Sequence, residues 1–409
     1  MKVLWIVSNW PTPRNPTSGT FIVELARRVA TACDLEVLVL VPNPPPLPRY
    51  AEHRRLIAGL PATVDAEGFT VHHLPVPYVP RWRLPENFAV GATLGLAGRA
   101  VGGWVHRRGR APDVVHAHMA LNAAYGARAS GMTASPLVTT VYGSDINDGT
   151  QPGARNTVRR TATVSGLRRS SAVIGVSEAL CRRVRDLGVP EATVVHIPNG
   201  FDPADFHPTD KVEARRKLGL PESGKVALYV GALVPVKGVD ILLEAFRRLR
   251  SASDDTVLYC VGDGAERGRL EAEVAADGLE GNVFFVGSRP HGEVPLWMNA
   301  CDVFVLPSRN EGWPTVLSEA LACGRPVVAT AVGGVPEVIR HESLGRLVPP
   351  ESPEPLATAL RQVLDAEADP ESIRSSVLDY TWDKISARTA DVYRRVLGSQ
   401  GTAPAGSTG

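Results

Sequence analysis

The sequence predicts an α/β protein with two domains, each built on a parallel sheet. Short apolar runs alternate with stretches of helical periodicity along the whole chain, which is the pattern of repeated strand–helix–strand units. The chain has 409 residues, more than one typical domain. Its composition, 44% hydrophobic and 21% charged, is that of a globular protein with large buried cores.

Ten apolar runs, each ending in a polar loop, are the candidate strands. The first half contributes KVLWIVS, LEVLVLVP, DVVHAH, LVTTVYGSD and SAVIGVS, and the second half KVALYVGAL, TVLYCVGDG, VFFVG, DVFVLPS and RPVVAT. Between the two sets lies VVHIPNGFDPADFHP, which is rich in turn-forming residues, so we place the domain junction there. The predicted domains are 1–198 and 199–380; an amphipathic helix follows at 381–397, and residues 398–409 are expected to be disordered.

Cysteine usage and the chain's opening residues bear on its compartment. Five cysteines are scattered without C-x-x-C spacing, which argues against a zinc site or a disulfide scaffold and fits a reducing compartment. The opening MKVLWIVSNWP lacks the small-residue cleavage site of a signal peptide. We find no apolar stretch of about 18 residues, so no membrane span is expected. The predicted location is therefore the cytoplasm.

Charge is divided unevenly along the chain. Residues 1–200 carry 22 basic and 13 acidic side chains, a net charge of +9, whereas the remainder carries 22 and 30, a net charge of −8. A basic half favours contact with an anionic partner or with a membrane surface, which would be its inner face here. The segment PRWRLPENF, which mixes arginines with aromatics, could touch lipid head groups or an anionic glycan. An ordinary surface loop and a chance excess of arginine are the alternatives.

Two carboxylates stand close together in RNEGWPTVLSEALACGRP, between two candidate strands. Pro314 can open a helix that ends at Gly324, so the free amides and positive dipole end at Gly312–Val316 form an anion site. Glu311 lies just before that end, and Glu319 lies about 7–8 Å further along the helix. Because carboxylates accept hydrogen bonds from sugar hydroxyls, the arrangement suggests a sugar nucleotide. A dipole-favoured acid plus a solvated glutamate is the alternative.

The same stretch resembles the E-x7-E motif of retaining, GT-B-fold glycosyltransferases of family 4. Further motifs follow in the family's order: NPTSGTF, DVVHAH, YGSD, VIGVSEAL, IPNGFD, GALVPVKGVDILLEAF, VGDG and GGVPEVI. The resemblance covers nearly the whole chain, and PTSGTFIVE and NEGWP are most similar to the branch of teichuronic-acid and other exopolysaccharide transferases. It implies two Rossmann-like parallel-sheet domains that face each other across a cleft, with the C-terminal helix crossing back to the first domain.

The resemblance assigns donor-binding roles to residues of the second domain and to Gly19 of the first. It implies that Glu311 holds hydroxyls of the transferred sugar, that Glu319 holds the ribose, and that Lys237 contacts the diphosphate and steadies the leaving group. Trp313 would then lie at the sugar pocket. The full set of predicted donor-binding residues is Gly19, Lys237, Arg289, Glu311, Gly312, Trp313, Pro314, Thr315, Val316 and Glu319.

The first domain supplies the predicted acceptor side. His118, at the end of DVVHAH, is expected to point into the cleft and to assist the acceptor or position the donor sugar. Its neighbour His116 is expected to face the opposite way and to pack. Gly19 is expected to let the first loop approach a ligand closely. The alternatives are a simple turn at Gly19 and a purely structural role for His118. The predicted acceptor-side residues are His118, Tyr142, Ser144 and Asp145.

Two positions depart from the family pattern. Relatives commonly carry an arginine where this chain has Ala232, so either Lys237 and the helix amides hold the diphosphate alone or another cation, such as Arg289, substitutes. Relatives often carry a histidine where this chain has Tyr142, and a tyrosine cannot shuttle a proton near neutral pH.

The implied reaction moves a glycosyl unit from a nucleoside diphosphate, taken to be UDP, to an acceptor hydroxyl with retained configuration. The departing phosphate would take the acceptor's proton in a front-face attack. SDD at 253–255 lies in a loop before a strand rather than at a strand end, so we expect no essential metal. We also expect no cofactor and no nucleic-acid partner. A sugar-nucleotide epimerase of the same fold and a non-catalytic sugar-nucleotide-binding partner are the alternatives; the sugar and the acceptor are not identified.

Overall fold

The computed structural model describes residues 1–12, 18–80, 85–147, 157–250 and 256–400, without the side chains of Ser144, Asn147 and Gln400. Parts of four predicted segments therefore lie outside the described residues: 15–17 of NPTSGTF, 81–84 of PRWRLPENF, the SDD loop, and 401–409 of the tail. The chain forms two compact units, one of Met1–Asn199 with the chain from Trp382 onward, and one of Gly200–Thr381.

The first unit contains an eight-stranded sheet with the order β3-β4-β2-β1-β5-β6-β7-β8. All neighbouring strands are parallel except β3 and β4, which form an antiparallel pair at one edge. The prediction of a parallel sheet is confirmed, and the structure adds three strands that the apolar runs did not indicate. The strands are β1 (Lys2–Val7), β2 (Asp34–Asn43), β3 (Thr63–Ala66), β4 (Phe69–Pro77), β5 (Val114–His118), β6 (Leu137–Val141), β7 (Ala172–Gly175) and β8 (Val194–His196).

Helices connect these strands. They are α1 (Thr20–Val29), α2 (Ala51–Ala58), α3 (Glu86–Arg108), α4 (Asn122–Thr133), α5 (Ser144–Asn147), α6 (Thr157–Arg168) and α7 (Glu178–Asp186). The 23-residue α3, with a mean hydropathy of 1.2 in its most apolar window, is long and apolar enough to meet the criterion for a membrane span. Our expectation that no such stretch exists was wrong, because alanines and glycines interleaved with valine and leucine hide its apolar character. A third of that window is buried, and α3 packs against α4 and α6.

The second unit contains a six-stranded, fully parallel sheet with the order β11-β10-β9-β12-β13-β14. Five of its strands match the predicted runs, and the short β14 was missed. The strands are β9 (Val226–Val230), β10 (Val257–Val261), β11 (Val283–Gly287), β12 (Val303–Leu306), β13 (Val327–Thr330) and β14 (Gly345–Val348). The helices are α8 (Lys211–Leu218), α9 (Val239–Arg250), α10 (Arg267–Ala276), α11 (Val294–Ala300), α12 (Thr315–Ala322), α13 (Val335–Val338), α14 (Pro353–Asp365) and α15 (Pro370–Ser375).

The last helix, α16 (Trp382–Gln400), belongs to the first unit and packs against α1. It follows the predicted helix and runs three residues beyond its expected end. Residues 398–400 were therefore wrongly assigned to a disordered tail. The Ser399 hydroxyl donates to the Val396 carbonyl inside this extra turn.

The central strand β1 is buried on both faces, as expected for a parallel sheet covered by helices. Val3, Trp5 and Val7 pack in one core layer with residues of α1 and α16. Leu4 and Ile6 pack in the opposite layer with residues of α3 and α4. Residues that alternate along β1 thus reach the two cores, which is the period-2 pattern of a strand.

Each sheet has one point where its strand order reverses direction. In the first unit this point lies between β1 and β5, and in the second it lies between β9 and β12. Ligands of open α/β sheets bind outside the carboxyl ends of the strands at such a point. The loops that follow these four strands are therefore the first places to search for a site.

Candidate active site

Lys237 and Glu311 meet at the strand-order reversal of the second unit. Lys237 closes a short 3-10 turn after β9, Glu311 lies in the loop after β12, and Nζ stands 2.7 Å from Oε1. The Ser308 hydroxyl donates to the same carboxylate oxygen at 2.6 Å. The Glu311 side chain is only 8% exposed, whereas 28% of the Lys237 side chain is open to solvent. Glu311 is thus fixed by Ser308 inside the protein, and Lys237 is the member of the pair that solvent and ligands can reach.

Two glycines let the neighbouring loops press against this pair. Gly238 and Gly333 have left-handed φ values of 66° and 52°. A Cβ atom would come within 2.2 Å of the Pro307 carbonyl oxygen at Gly238, and within 1.8 Å of the Glu311 carbonyl oxygen at Gly333. A side chain at position 238 would therefore push the lysine turn away from the end of β12, and one at position 333 would push the loop after β13 away from the glutamate loop.

Helix α12 begins just beyond Glu311. Pro314, predicted as the first helical residue, stands at the N-cap, so the helix begins one residue later, at Thr315. No side chain of the described part of the protein caps this end, so the first amides keep N–H groups available to a ligand, and Thr315 and Val316 are half-buried. The helix ends at Ala322, and Gly324 follows with a φ of 70°, which matches the predicted stop.

Trp313, the residue predicted to line a sugar pocket, is only 5% exposed. Its ring packs edge-on against Tyr380 of the same unit, with the ring centroids 5.0 Å apart and the planes at 79°. A ring so placed has little surface left for a sugar. Gly312, its neighbour, is half-buried in the turn that leads into α12.

The second acid of the motif, Glu319, lies on α12 and is half-buried. Burial raises the pKa of its carboxyl from 4.5 to about 8. Burial acts in this direction because it penalises the charged form. At neutral pH the carboxyl of Glu319 is therefore mostly protonated in the free protein, a property that residue spacing could not reveal.

Arg289, the predicted substitute cation, follows β11 at the edge of the sheet. Strand β10 separates β11 from β9, so the two loops are about 10 Å apart across the sheet. Arg289 Nη1 donates to the Ser288 carbonyl at 3.3 Å, and Nε stands 3.9 Å from Glu293. The structure does not bring Arg289 beside Lys237. At the other departure from the family pattern, the Ala232 carbonyl accepts a hydrogen bond from Tyr229 at 2.9 Å.

Sequence reasoning missed two residues beside this pair, Ser308 and Arg309. Ser308 bonds Glu311 directly, and Arg309 forms a dense set of contacts to the turn that carries Lys237. The available signal was their place in SRNEGWP, between a strand end and the first acid. Spacing along the chain could not show which distant residues they reach.

In the first unit, His118 ends β5 beside the strand-order reversal, but its ring does not face solvent. Both His116 and His118 are 0% exposed, and their ring centroids lie 4.1 Å apart. The expectation that they face opposite ways was wrong, because positions two apart on a strand share a face. The His118 ring also lies 4.1 Å from the ring of Trp5. The expectation that it points into an open cleft does not fit this burial.

Both buried histidines are neutral at pH 7. Burial lowers the pKa of His116 to about 3 and holds the pKa of His118 well below its usual value, with a further contribution from His116. His118 Nδ1 is hydrogen-bonded to the Tyr142 hydroxyl at 2.7 Å. Its Nε2 is buried without a hydrogen-bond partner among the residues that the structure describes. Burial, with a contribution from Asp145, also raises the pKa of Tyr142.

Asp145, predicted on the acceptor side, has both carboxylate oxygens engaged by backbone amides. They accept hydrogen bonds from the N–H groups of Ala120 at 2.7 Å, Gly143 at 2.8 Å, Tyr142 at 3.0 Å and Ile146 at 3.1 Å. Burial outweighs these bonds and raises the pKa of the carboxyl. The geometry gives Asp145 the task of tying the YGSD loop to the loop after β5.

Gly19 and Ser144 complete the predicted set. Gly19 has a φ of 69°, and a Cβ atom there would come within 2.2 Å of the Asn9 carbonyl oxygen. The Ser18 hydroxyl bonds the Asn9 side chain, so this glycine docks the start of α1 onto the end of β1. Ser144 opens α5 with its backbone, and its side chain is not among those described.

Comparison with known proteins identifies both units. A family model described as "Glycosyl transferases group 1" matches residues 210–377, and a second, "Glycosyl transferase 4-like domain", matches residues 17–200. The glycosyltransferase TuaC of Bacillus subtilis (strain 168), named for teichuronic acid biosynthesis, is 31% identical over 88% of each chain. A D-inositol 3-phosphate glycosyltransferase of Streptomyces bingchenggensis is 30% identical over 93% of this chain and 84% of its own.

Solved structures share the fold over nearly the whole chain. Sucrose-phosphate synthase from Thermosynechococcus elongatus superimposes with a TM-score of 0.77 at 23% identity, covering 97% of this chain and 99% of its own. Anabaena HepE in complex with UDP and glucose superimposes with a TM-score of 0.67 at 21% identity, covering 98% of this chain and 100% of its own. At these identities the likeness concerns the fold alone.

Proposed function

The chain belongs to the group 1 glycosyltransferases and has the GT-B fold, and we propose that it transfers a sugar from a UDP-linked donor to an acceptor hydroxyl with retention and without a metal. One observation carries the proposal. The contact of 2.7 Å between Lys237 and Glu311 lies at the strand-order reversal of the second unit, just before the open N-terminus of α12.

Lys237 and the first amides of α12 are the groups that would hold the diphosphate. The lysine supplies a positive charge, and the helix end supplies free N–H groups and the positive end of its dipole. Glu311 would accept hydrogen bonds from hydroxyls of the transferred sugar. In the free protein the two side chains satisfy each other, so donor binding would replace one ion pair by two ligand contacts.

Glu319 would bind the ribose of the nucleotide. A carboxylate accepts both ribose hydroxyls, and the position of Glu319 within α12 sets it back from the diphosphate. HepE, a structural neighbour, has been solved with UDP-glucose, which supports UDP as the nucleotide here. Another neighbour, starch synthase IV of Arabidopsis thaliana, has been solved with ADP. The test below therefore includes both nucleotides.

The proposed chemistry uses the leaving group as the base. The bond from the anomeric carbon to the phosphate oxygen breaks, the bond to the acceptor oxygen forms on the same face, and the acceptor's proton passes to the departing phosphate. Lys237 would stabilise the negative charge that grows on that phosphate. The rest of the catalysis would be positioning. No described group of three His, Cys, Asp or Glu side chains is arranged to hold a metal ion; metal independence is part of the proposal and is tested below with EDTA.

We place the acceptor with the first unit and expect it to carry negative charge. Residues 1–200 have a net charge of +9, which favours an anionic acceptor. The names of two relatives, one for teichuronic acid and one for D-inositol 3-phosphate, fit the same expectation. A sugar-nucleotide donor and the scattered free cysteines fit a reaction in the cytoplasm. The basic first unit could also bring the protein to an anionic membrane surface.

The experiment incubates the purified protein with UDP-, ADP- and GDP-sugars, in turn with inositol phosphates and with uronic-acid glycans as acceptors. Acceptor-dependent release of UDP, an α-linked product from an α-linked donor, and full activity in EDTA would support the proposal. Loss of activity in EDTA, restored by Mg²⁺ or Mn²⁺, would contradict metal independence. A free sugar epimer formed without any acceptor would instead identify an epimerase.

A further inference from the structure

Arg309 makes more polar contacts than either Lys237 or Glu311. Its guanidinium forms a two-pronged contact with Asp240, with Nη1–Oδ1 at 2.9 Å and Nη2–Oδ2 at 2.8 Å. It also contacts Glu351 through Nε and, at 3.1 Å, through Nη2. A bidentate arginine–carboxylate contact is among the most strongly directed hydrogen-bonded pairs in proteins.

The same arginine also holds the turn that carries Lys237. Nη1 donates to the Pro235 carbonyl at 2.5 Å, and the Arg309 backbone N–H donates to the Val236 carbonyl at 2.8 Å. The turn closes on itself through the Lys237 N–H, which donates to the Val234 carbonyl at 2.9 Å. Both residues before Lys237 are therefore fixed by Arg309.

Glu311 follows Arg309 by two residues, so both members of the pair depend on one anchor. We infer that Arg309 is a positioning residue that sets Lys237 against Glu311 and the donor diphosphate without touching the donor itself. The inference rests on the proposed role of Lys237 in binding the diphosphate.

The charge of Arg309 is already neutralised within the protein. Asp240 and Glu351 flank the guanidinium, and their hydrogen bonds raise its pKa. Binding a phosphate directly would require it to release a two-pronged carboxylate contact, which is costly for a half-buried pair. Arg309 therefore does not replace the cation that is missing at Ala232; it fixes the position of Lys237.

The test compares Arg309→Gln with Arg248→Gln. Arg248, on α9, bonds Glu244 at 2.7 and 2.9 Å and Glu354 at 2.8 Å, so it is an arginine of similar pairing in the same unit. These two carboxylates lie on α9 and α14, outside the lysine turn. Hydrogen exchange of the peptide that spans 234–238 should rise in Arg309→Gln and stay unchanged in Arg248→Gln.

Kinetics supply the second readout. Arg309→Gln should lower kcat at least tenfold and change the donor KM less than threefold. The reason is that a displaced Lys237 would mainly lose its stabilisation of the negative charge that grows on the leaving phosphate in the transition state. Arg309→Lys should remain impaired, since a lysine cannot reproduce the planar fork. In a Lys237→Ala background, Arg309→Gln should cost less than threefold, since residues that act through one another are non-additive.

The outcomes separate this inference from the proposed function. Unchanged exchange at 234–238 in Arg309→Gln overturns the inference whether or not any donor is turned over. Losses that multiply in the double variant also overturn it and would show that Arg309 acts on the donor independently. A wild-type protein that turns over no donor, with exchange raised in Arg309→Gln, would overturn the proposed function and leave the anchoring of the turn established.

Discussion

Lys237 and Glu311 are 74 positions apart in the chain, yet Nζ and Oε1 lie 2.7 Å from each other. Parallel strands β9 and β12 are neighbours in the sheet, and each residue sits in the loop that follows one of them. Glu311 is nearly buried and bonded by Ser308, whereas Lys237 is the more exposed partner. The lysine is therefore the member that a phosphate can reach first.

Lys237→Ala should lose about 3 kcal/mol or more of transition-state stabilisation, the scale of removing one preorganised charge donor. The reason is that no second cation stands at Ala232, and Arg289 lies two strands away. The measurement is kcat/KM for the donor. Lys217→Ala, which removes an exposed ion pair with Glu213 on α8, is the control and should match wild type. A loss of less than threefold in Lys237→Ala would show that another cation holds the diphosphate.

Glu311→Gln and Glu319→Gln should have different kinetic effects. Glu311 stands at the proposed reacting sugar, so its variant should lower kcat severely. Glu319 stands further along α12, at the proposed ribose site, so its variant should mainly raise the donor KM. Steady-state kinetics over a range of donor concentrations separates the two. Equal effects on kcat in both variants, or no effect in either, would contradict the assignment.

Local features of this site could be predicted from the sequence. Pro314 and Gly324 mark the ends of α12 through their own backbone preferences, and the positions of Glu311 and Glu319 follow from them. The lysine loop could be placed because its strand is a long apolar run. These are short-range effects, which is why they are visible in a single sequence.

Other features depend on contacts that the sequence does not show. Arg309 reaches Asp240 across 69 positions and Glu351 across 42, and no local pattern marks those partners. The raised pKa of Glu319 reflects burial, which only the packed structure defines. The shared face of His116 and His118, by contrast, could have been predicted, because residues two apart on a strand lie on the same side of the sheet.

Glu319 should make stability fall as pH rises. Its folded pKa is about 8, compared with 4.5 for an ordinary glutamate, so between these values the folded protein holds a proton that the unfolded chain releases. The stabilisation is complete below pH 4.5 and is lost as pH rises through 8. Melting temperatures between pH 5.5 and pH 9 should therefore decline less in Glu319→Gln than in wild type. The exposed Glu367→Gln is the control and should follow the wild-type curve.

The same protonation state predicts a proton signal on donor binding. Ribose hydroxyls are bound best by an ionised carboxylate, so Glu319 should release its proton when a nucleoside diphosphate binds near pH 7. Calorimetry in two buffers of different ionisation enthalpy measures this release directly. We expect wild type to release close to one proton more than Glu319→Gln, since the nucleotide's own phosphate contributes equally to both. Equal release by both proteins would place the titrating group elsewhere.

The buried histidines give a prediction of the opposite sign. Both ring nitrogens of His116 are hydrogen-bonded, Nδ1 with the Tyr393 hydroxyl at 2.6 Å and Nε2 with the Thr140 hydroxyl at 2.7 Å. Burial lowers the pKa of this ring to about 3. In the unfolded chain His116 binds a proton near pH 6.5, whereas in the folded protein it stays neutral at that pH. Stability from this residue is therefore present above pH 6.5 and is lost as pH falls toward 3. NMR of nitrogen-labelled histidine should show a neutral ring for His116 from pH 8 to pH 5.

His116→Phe separates this titration from packing. The variant should melt below wild type at pH 7, because Tyr393 and Thr140 each lose a buried partner. On acidification from pH 7 to pH 5 it should lose less of its melting temperature than wild type, because the residue that refuses a proton is gone. If the two proteins lose the same amount, His116 is not the source of acid sensitivity. A midpoint near pH 6.5 in the resonances of His116 would contradict the buried, neutral state outright.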